Sequence, residues 1–308
     1  MNDLWTEKYR PNTVDGYVFT DDAQRQQVQH WIKQGSIPHL LLSGSPGTGK
    51  TTLAKLLINE LGVDEFDVLY SNGSKDARKL DWVDKLIGFC STMPFGAFKV
   101  VLVDEADFMN PNSVQPALRN LMEDYSQSVR FILTCNYPNK ILPALHSRCQ
   151  GFHMQKTDLV EFTSRLATVL ISEGIDFDLP TLDLFVTATY PDLRKSLNLL
   201  QANSTTGKLV EPSSTEQSVD NWRLQAVSLF KSGNINEARK VICNQANIED
   251  MDSMYRWMYD NLSLWSDTQE GQDRAIIIIR NSLANVHLMS DQEINLSATL
   301  CELTQIGN

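Results

Sequence analysis

The stretch LLLSGSPGTGKTTLAKLL, Leu40 to Leu57, constrains the fold more than any other part of this 308-residue chain. Gly44, Ser45, Pro46, Gly47, Thr48, Gly49, Lys50 and Thr51 form a glycine-bounded loop. An apolar strand pattern runs into it, and Lys50, Thr51 and Thr52 open an apolar-faced helix pattern after it. Glycines let the backbone turn its N–H groups round an anion at the positive end of the following helix dipole. Lys50 would neutralise the β- and γ-phosphates of a nucleoside triphosphate, and Thr51 would offer its hydroxyl to Mg²⁺. A Gly-Pro-Gly surface turn is the competing reading, but a plain turn does not need Lys-Thr opening a helix.

Strand-like and helical patterns alternate from Leu40 to about Cys149: LLLS, DVLYSN, KVVLVDEAD and RFILTCN. That order predicts a parallel sheet covered by helices on both faces. After Gly151 strand signals stop, and helical spacing is read over 159–173, 179–188 and 192–203. TTGKLVEPSSTEQSV, 205–219, is the linker candidate. Helices are expected beyond it near 222–231, 235–242, 252–264, 273–289 and 291–304. The chain thus divides into an α/β nucleotide-binding domain over 1–150, a small helical domain over 151–207 and an all-helical domain over 208–308.

Charge limits the partners. The net −11 is uneven: residues 1–150 hold 15 basic and 17 acidic side chains, net −2, and 151–308 hold 12 and 21, net −9. Nucleic acid must then meet a local basic patch in the first half, because the molecule as a whole repels phosphate. Five scattered cysteines without a CxxC pair read as reduced thiols with no zinc site. No run approaches 18 apolar residues and MNDLWTEKYRP lacks a signal-peptide core, so a soluble cytoplasmic protein with no membrane partner is expected. If the chain is viral, that is the host cytoplasm.

Val100 to Val103 read as a buried strand with Asp104 at its carboxyl end, placed to hold Mg²⁺ through water. Glu105 is suited to polarising an attacking water. Asn136, ending the next strand, puts an amide where it could fix that water. Arg148 in HSRC closes the α/β domain on a surface and suits a neighbouring subunit's γ-phosphate. Arg194 in PDLRKSLN begins a helix and could reach the γ-phosphate of its own chain. For each arginine alone, a surface salt bridge is the rival reading.

The ordered set EKYRP, GSPGTGKT, VDEAD, TCN, SRC and PDLRKSLN resembles the small subunits of the replication factor C clamp loaders, within the AAA+ ATPases. Inside that family the chain most resembles the large subunit of the T4-like bacteriophage clamp loader. The resemblance implies an α/β P-loop AAA+ domain, a small helical lid and an all-helical C-terminal collar that assembles the oligomer. It implies that Tyr9, Arg10 and Pro11 line the adenine and phosphate region. It further implies that Glu105 is the catalytic glutamate, Asn136 the first sensor, Arg148 a finger acting in trans and Arg194 the second sensor. SNGSKDARKL resembles the stretch that grips template DNA, with Ser74, Lys75, Arg78 and Lys79 making sequence-independent contacts. Gln115 and Arg119, four apart and so on one helix face, are added to the DNA set.

The apolar Met93, Phe95 and Phe98 would face a sliding clamp, with ordinary core packing as the rival. The expected partners are a sliding clamp, primer-template DNA, copies of this chain and one different clamp-loader subunit, and the expected cofactors are ATP and Mg²⁺. ATP binding would open the clamp and accept DNA, and hydrolysis would release the loader. Another AAA+ motor, such as a Holliday-junction helicase or a protein remodeller, is the alternative, as is a scaffold that binds ATP without hydrolysing it.

Overall fold

The computed structural model describes residues 4–77, 80–210, 222–232, 234–244, 251–286 and 288–306. It resolves into two compact units, one of residues 7–158 and one of residues 1–6 with 159–308.

The first described element is a single turn, α1 (Trp5–Lys8). In the first unit α2 (Asp22–Gln34), β1 (Leu40–Gly44), α3 (Lys50–Glu60), β2 (Val68–Asn72), α4 (Leu80–Cys90), β3 (Lys99–Asp104), α5 (Val114–Asp124), β4 (Val129–Cys135), α6 (Pro143–His146) and β5 (Gln150–Met154) follow in order. All strand pairs are parallel, and the sheet runs β2-β3-β4-β1-β5. Its near-continuous apolar strands have cause. Leu40, Leu42, Val100, Leu102 and Ile132 pack on one face with Leu53, Leu57 and Trp31. Leu41, Val101, Val103, Phe131 and Leu133 pack on the other with Leu86, Leu118 and Met122. Successive side chains point to opposite faces, so a sheet buried on both sides needs apolar residues at every position.

β5 corrects the expectation that strand signals end at Gly151, and it carries the α/β unit past residue 150 to Asp158. It pairs with β1 from Leu40–Gln150 to Gly44–Met154. As an edge strand it buries only Phe152 and Met154, in alternation, and so lacks the unbroken apolar run of its neighbours.

The other unit is helical: α7 (Leu159–Ser172), α8 (Leu179–Thr189), α9 (Leu193–Ala202), α10 (Trp222–Lys231), α11 (Ile235–Cys243), α12 (Met251–Asp260), α13 (Gln269–Asn285) and α14 (Gln292–Thr304). α13 starts four residues before its expected position because Thr268 caps it, its side chain accepting the Gly271 N–H. A buried polar network joins three helices: Asn295 Nδ2 donates to Tyr255 Oη at 2.9 Å and to the Ser282 carbonyl at 3.1 Å. Of the linker expected over 205–219, residues 211–219 lie outside the described residues, and Lys208 pairs back with Asp176 in a parallel bridge. Among the described residues, no helix is long and apolar enough to cross a membrane.

Candidate active site

The carboxyl ends of β1, β4 and β3 lie side by side, and the phosphate loop, Asn136 and Asp104 leave from them. Gly49 caps α3 in the left-handed region at φ 86°, where a side chain would be strained. Lys50, 7% exposed, donates from Nζ to the carbonyls of Gly44 at 2.9 Å and Ser45 at 2.8 Å, which holds the ammonium inside the loop's curve. Thr48 Oγ1 donates to the Ser45 carbonyl at 2.9 Å.

Thr51 Oγ1 donates to Asp104 Oδ1 at 2.8 Å, and Thr134 Oγ1 donates to the same oxygen. This set fits Mg²⁺, which takes one or two protein oxygens and leaves its other positions to water and phosphate. Thr134 is a buried polar residue directly after the apolar run Phe131 to Leu133, and its sequence neighbours give it no role. It also accepts the Glu105 N–H at 3.2 Å.

Glu105 has φ 55° and ψ 44°, left-handed for a residue with a side chain. Gly73 explains how it is held. The Gly73 N–H donates to the Asp104 carbonyl at 2.7 Å, and a Cβ there would overlap the Glu105 carbonyl. Asp107 fixes the other side of the turn. Its Oδ2 accepts the N–H groups of Asn136 at 3.3 Å and Tyr137 at 3.1 Å, so the end of β4 is tied to the acidic turn. Burial pushes the neighbouring Cys135 thiol up to about 12, helped by the Asp107 charge and opposed by Lys50, so it stays a neutral thiol at the floor of the site.

Of the expected adenine-side residues, Arg10 pairs with Glu7 at 2.7 Å. From the N-terminal segment Tyr17 reaches the loop, donating from Oη to the Thr48 carbonyl at 3.1 Å and lying against Gly49. No local pattern marks it in the sequence. Arg194 stands exposed in the first turn of α9, in the other unit. Arg148 follows α6, and its guanidinium is paired with Glu123 of α5 while Nη1 donates to the Ala144 carbonyl at 2.8 Å.

Two expectations in the DNA and clamp sets are corrected. Gln115 is fully buried, its Nε2 donating to the carbonyls of Met109 at 3.2 Å and Lys140 at 3.0 Å while Oε1 accepts the Leu142 N–H at 2.8 Å. It splices the acidic turn to the chain leading to Arg148 and cannot touch DNA. Phe98 is 6% exposed and belongs to the core, because it enters β3 on the buried side.

The remaining described residues of these sets stand at or near the surface. Met93 and Phe95 are 88% and 80% exposed, and Phe66 joins them, its ring 6.0 Å from that of Phe95. Asp67 accepts the Gly96 N–H at 2.8 Å and Lys99 donates to the Phe89 carbonyl at 2.9 Å, which pins both ends of this loop. Lys75 is exposed in the turn that follows β2. Ser74 donates to Asn72 Oδ1 from Oγ at 2.6 Å and from its N–H at 2.8 Å. Arg119 is half-buried and bonds Asn120, while Arg78 and Lys79 lie outside the described residues.

Residues 40–156 match the family described as ATPase family associated with various cellular activities (AAA). The chain is 31% identical over 306 residues to the replication factor C small subunit of Methanococcus vannielii, covering 98% of this chain and 92% of the relative. It is 34% identical over 248 residues to that of Archaeoglobus fulgidus, covering 78% and 77%. With that of Sulfurisphaera tokodaii it shares 39% identity over 210 residues, 67% of this chain, a match spanning 64% of the relative's length. Among solved structures, a point variant of Thermotoga maritima RuvB superposes with a TM-score of 0.55 at 14% identity, over 93% of this chain and 90% of that one, a likeness of fold.

Proposed function

Because the chain belongs to the replication factor C small-subunit family of AAA ATPases, we propose that it is an ATP-hydrolysing subunit of a sliding-clamp loader. The observation that carries this reading is the division of catalytic parts: Thr51 and Thr134 are bonded to Asp104, and Lys50 to the carbonyls of the phosphate loop, at one edge of the sheet, whereas Arg148 is presented half-exposed beyond α6. The phosphate loop's N–H groups and Lys50 bind and orient the triphosphate. Thr51 and Asp104 would hold Mg²⁺, which when bound neutralises charge on the phosphate oxygens. Glu105 takes the proton of the attacking water, Asn136 fixes that water, and Arg148 of an adjacent copy stabilises charge on the transferred group. Arg194 is proposed as the second nucleotide sensor.

The same reading assigns Met93 and Phe95, with Phe66, to the sliding clamp, and Lys75, with Arg78, Lys79, Ser74 and Arg119, to primer-template DNA in a sequence-independent way. Copies of this chain and one different subunit would complete the assembly, with the lid ending near residue 207 and a collar beyond it. ATP binding would open the clamp and hydrolysis would release the loader. Steady-state phosphate release in the assembly, measured with clamp alone, DNA alone and both, tests this. Turnover that rises only with both supports it, and turnover indifferent to either refutes it.

A further inference from the structure

Glu123 is the last-turn acid of α5 and is exposed, yet its carboxylate is committed to the guanidinium of Arg148. An ion pair at this degree of exposure adds only about 0–1 kcal/mol, so stability alone is a poor reason for it. The other bonds of the guanidinium show what the pair does. Nη1 donates to the Ala144 carbonyl at 2.8 Å and to Ser147 Oγ at 3.3 Å, both on the turn that carries the arginine. Nε is buried without a hydrogen-bond partner among the described residues. One edge of the planar fork is therefore turned into the protein, and Glu123 is the anchor on a separate element that sets the direction of the other. α5 is itself fixed at its start by Gln115, which bonds Met109, Lys140 and Leu142. Its two ends thus hold the acidic turn and the arginine in one frame.

We infer that Glu123 is a positioning residue that orients the Arg148 guanidinium for a neighbouring chain's triphosphate. The inference rests on the reading of Arg148 as a trans-acting group. A long side chain ordered in advance loses less freedom when its phosphate arrives, and misplacement of such a group by about 1 Å can cost about 10²-fold in rate. The role is geometric, so an uncharged acceptor of the same length keeps most of it.

The test is single-turnover ATP hydrolysis by the full chain in its assembly, with clamp and primer-template DNA, for Glu123→Ala, Glu123→Gln, Arg148→Ala and the Glu123→Ala/Arg148→Ala double variant. Glu123→Ala is expected to lower the hydrolysis rate at least about tenfold with ATP affinity unchanged, and Glu123→Gln to restore most of it. Adding Glu123→Ala to Arg148→Ala is expected to change nothing further, since a group acting through Arg148 has nothing left to orient. An equal loss in both backgrounds marks a merely structural role and overturns the inference. So does a rate increase in Glu123→Ala, which would make the carboxylate a brake. If Arg148→Ala is impaired while Glu123→Ala runs at the full rate, only this inference fails. If Arg148→Ala itself runs at the full rate, the trans reading fails and takes this inference with it.

Discussion

At the carboxyl edge of the sheet, Lys50, Thr51, Asp104, Thr134 and Asp107 take their partners from the chain that carries them, through bonds spanning up to 53 positions of sequence. At the corner beyond α6, Arg148 bonds residues of its own turn and one exposed acid. The first arrangement is closed, its polar side chains satisfied by one another and by the loop's carbonyls. The second ends in a half-exposed cation with hydrogen-bonding capacity to spare, which is what a group serving another molecule needs. In the proposed reading the two regions are halves of one catalytic unit split across an interface, so variants at each should fail differently.

Arg148→Ala carries the largest expected effect: about 10³-fold or more in turnover of the assembly, the scale of an arginine finger, with ATP affinity of the isolated chain unchanged. Equilibrium binding of a fluorescent ATP analogue checks the second half. Glu105→Gln should follow at about 10²-fold in turnover with binding preserved. Affinity lost in step with turnover would make Glu105 a ligand or a structural residue instead. Gln115→Ala strikes the splice between the two regions. It leaves a buried N–H and two carbonyls unpaired, so a loss of about 2 kcal/mol in urea unfolding is expected, on a per-group cost of about 1–3 kcal/mol.

Surface variants should leave stability within about 0.5 kcal/mol. Phe95→Ser with Met93→Ser is expected to weaken clamp binding about tenfold, the usual size of an exposed apolar anchor's loss. Lys75→Ala should reduce the salt slope of duplex DNA binding by about 0.9 for each contact removed. An unchanged slope would take Lys75 out of the DNA track.

How much of this could be read from the sequence follows the same divide. The phosphate loop was legible because its chemistry is local: glycines, Lys50 and Thr51 act within eight residues. Asp104 was legible because the apolar run Val100 to Val103 aims it. Thr134 and Asp107 were not, since Thr134 gains its role from Asp104 on the neighbouring strand and Asp107 from the N–H groups just past the end of β4. Gln115 and Arg119 share a spacing but not an environment, and only the packing of α5 on the chain before Arg148 buries one of them. Phe95 and Phe98, three apart, look alike in sequence, and entry into β3 separates core from surface. β5 is hard to see in the sequence because an edge strand with Gly151 and His153 outward carries half the apolar signal of a central one.

The claim that the site is shared between chains is tested most directly by mixing. Lys50→Ala chains lack the phosphate grip and Arg148→Ala chains lack the finger, so assemblies containing both variants at random should regain turnover at interfaces that join an intact Lys50 on one chain to an intact Arg148 on the next. Clamp- and DNA-dependent phosphate release in the mixture well above that of either variant alone is the predicted result. A mixture no more active than the average of its two components would contradict it.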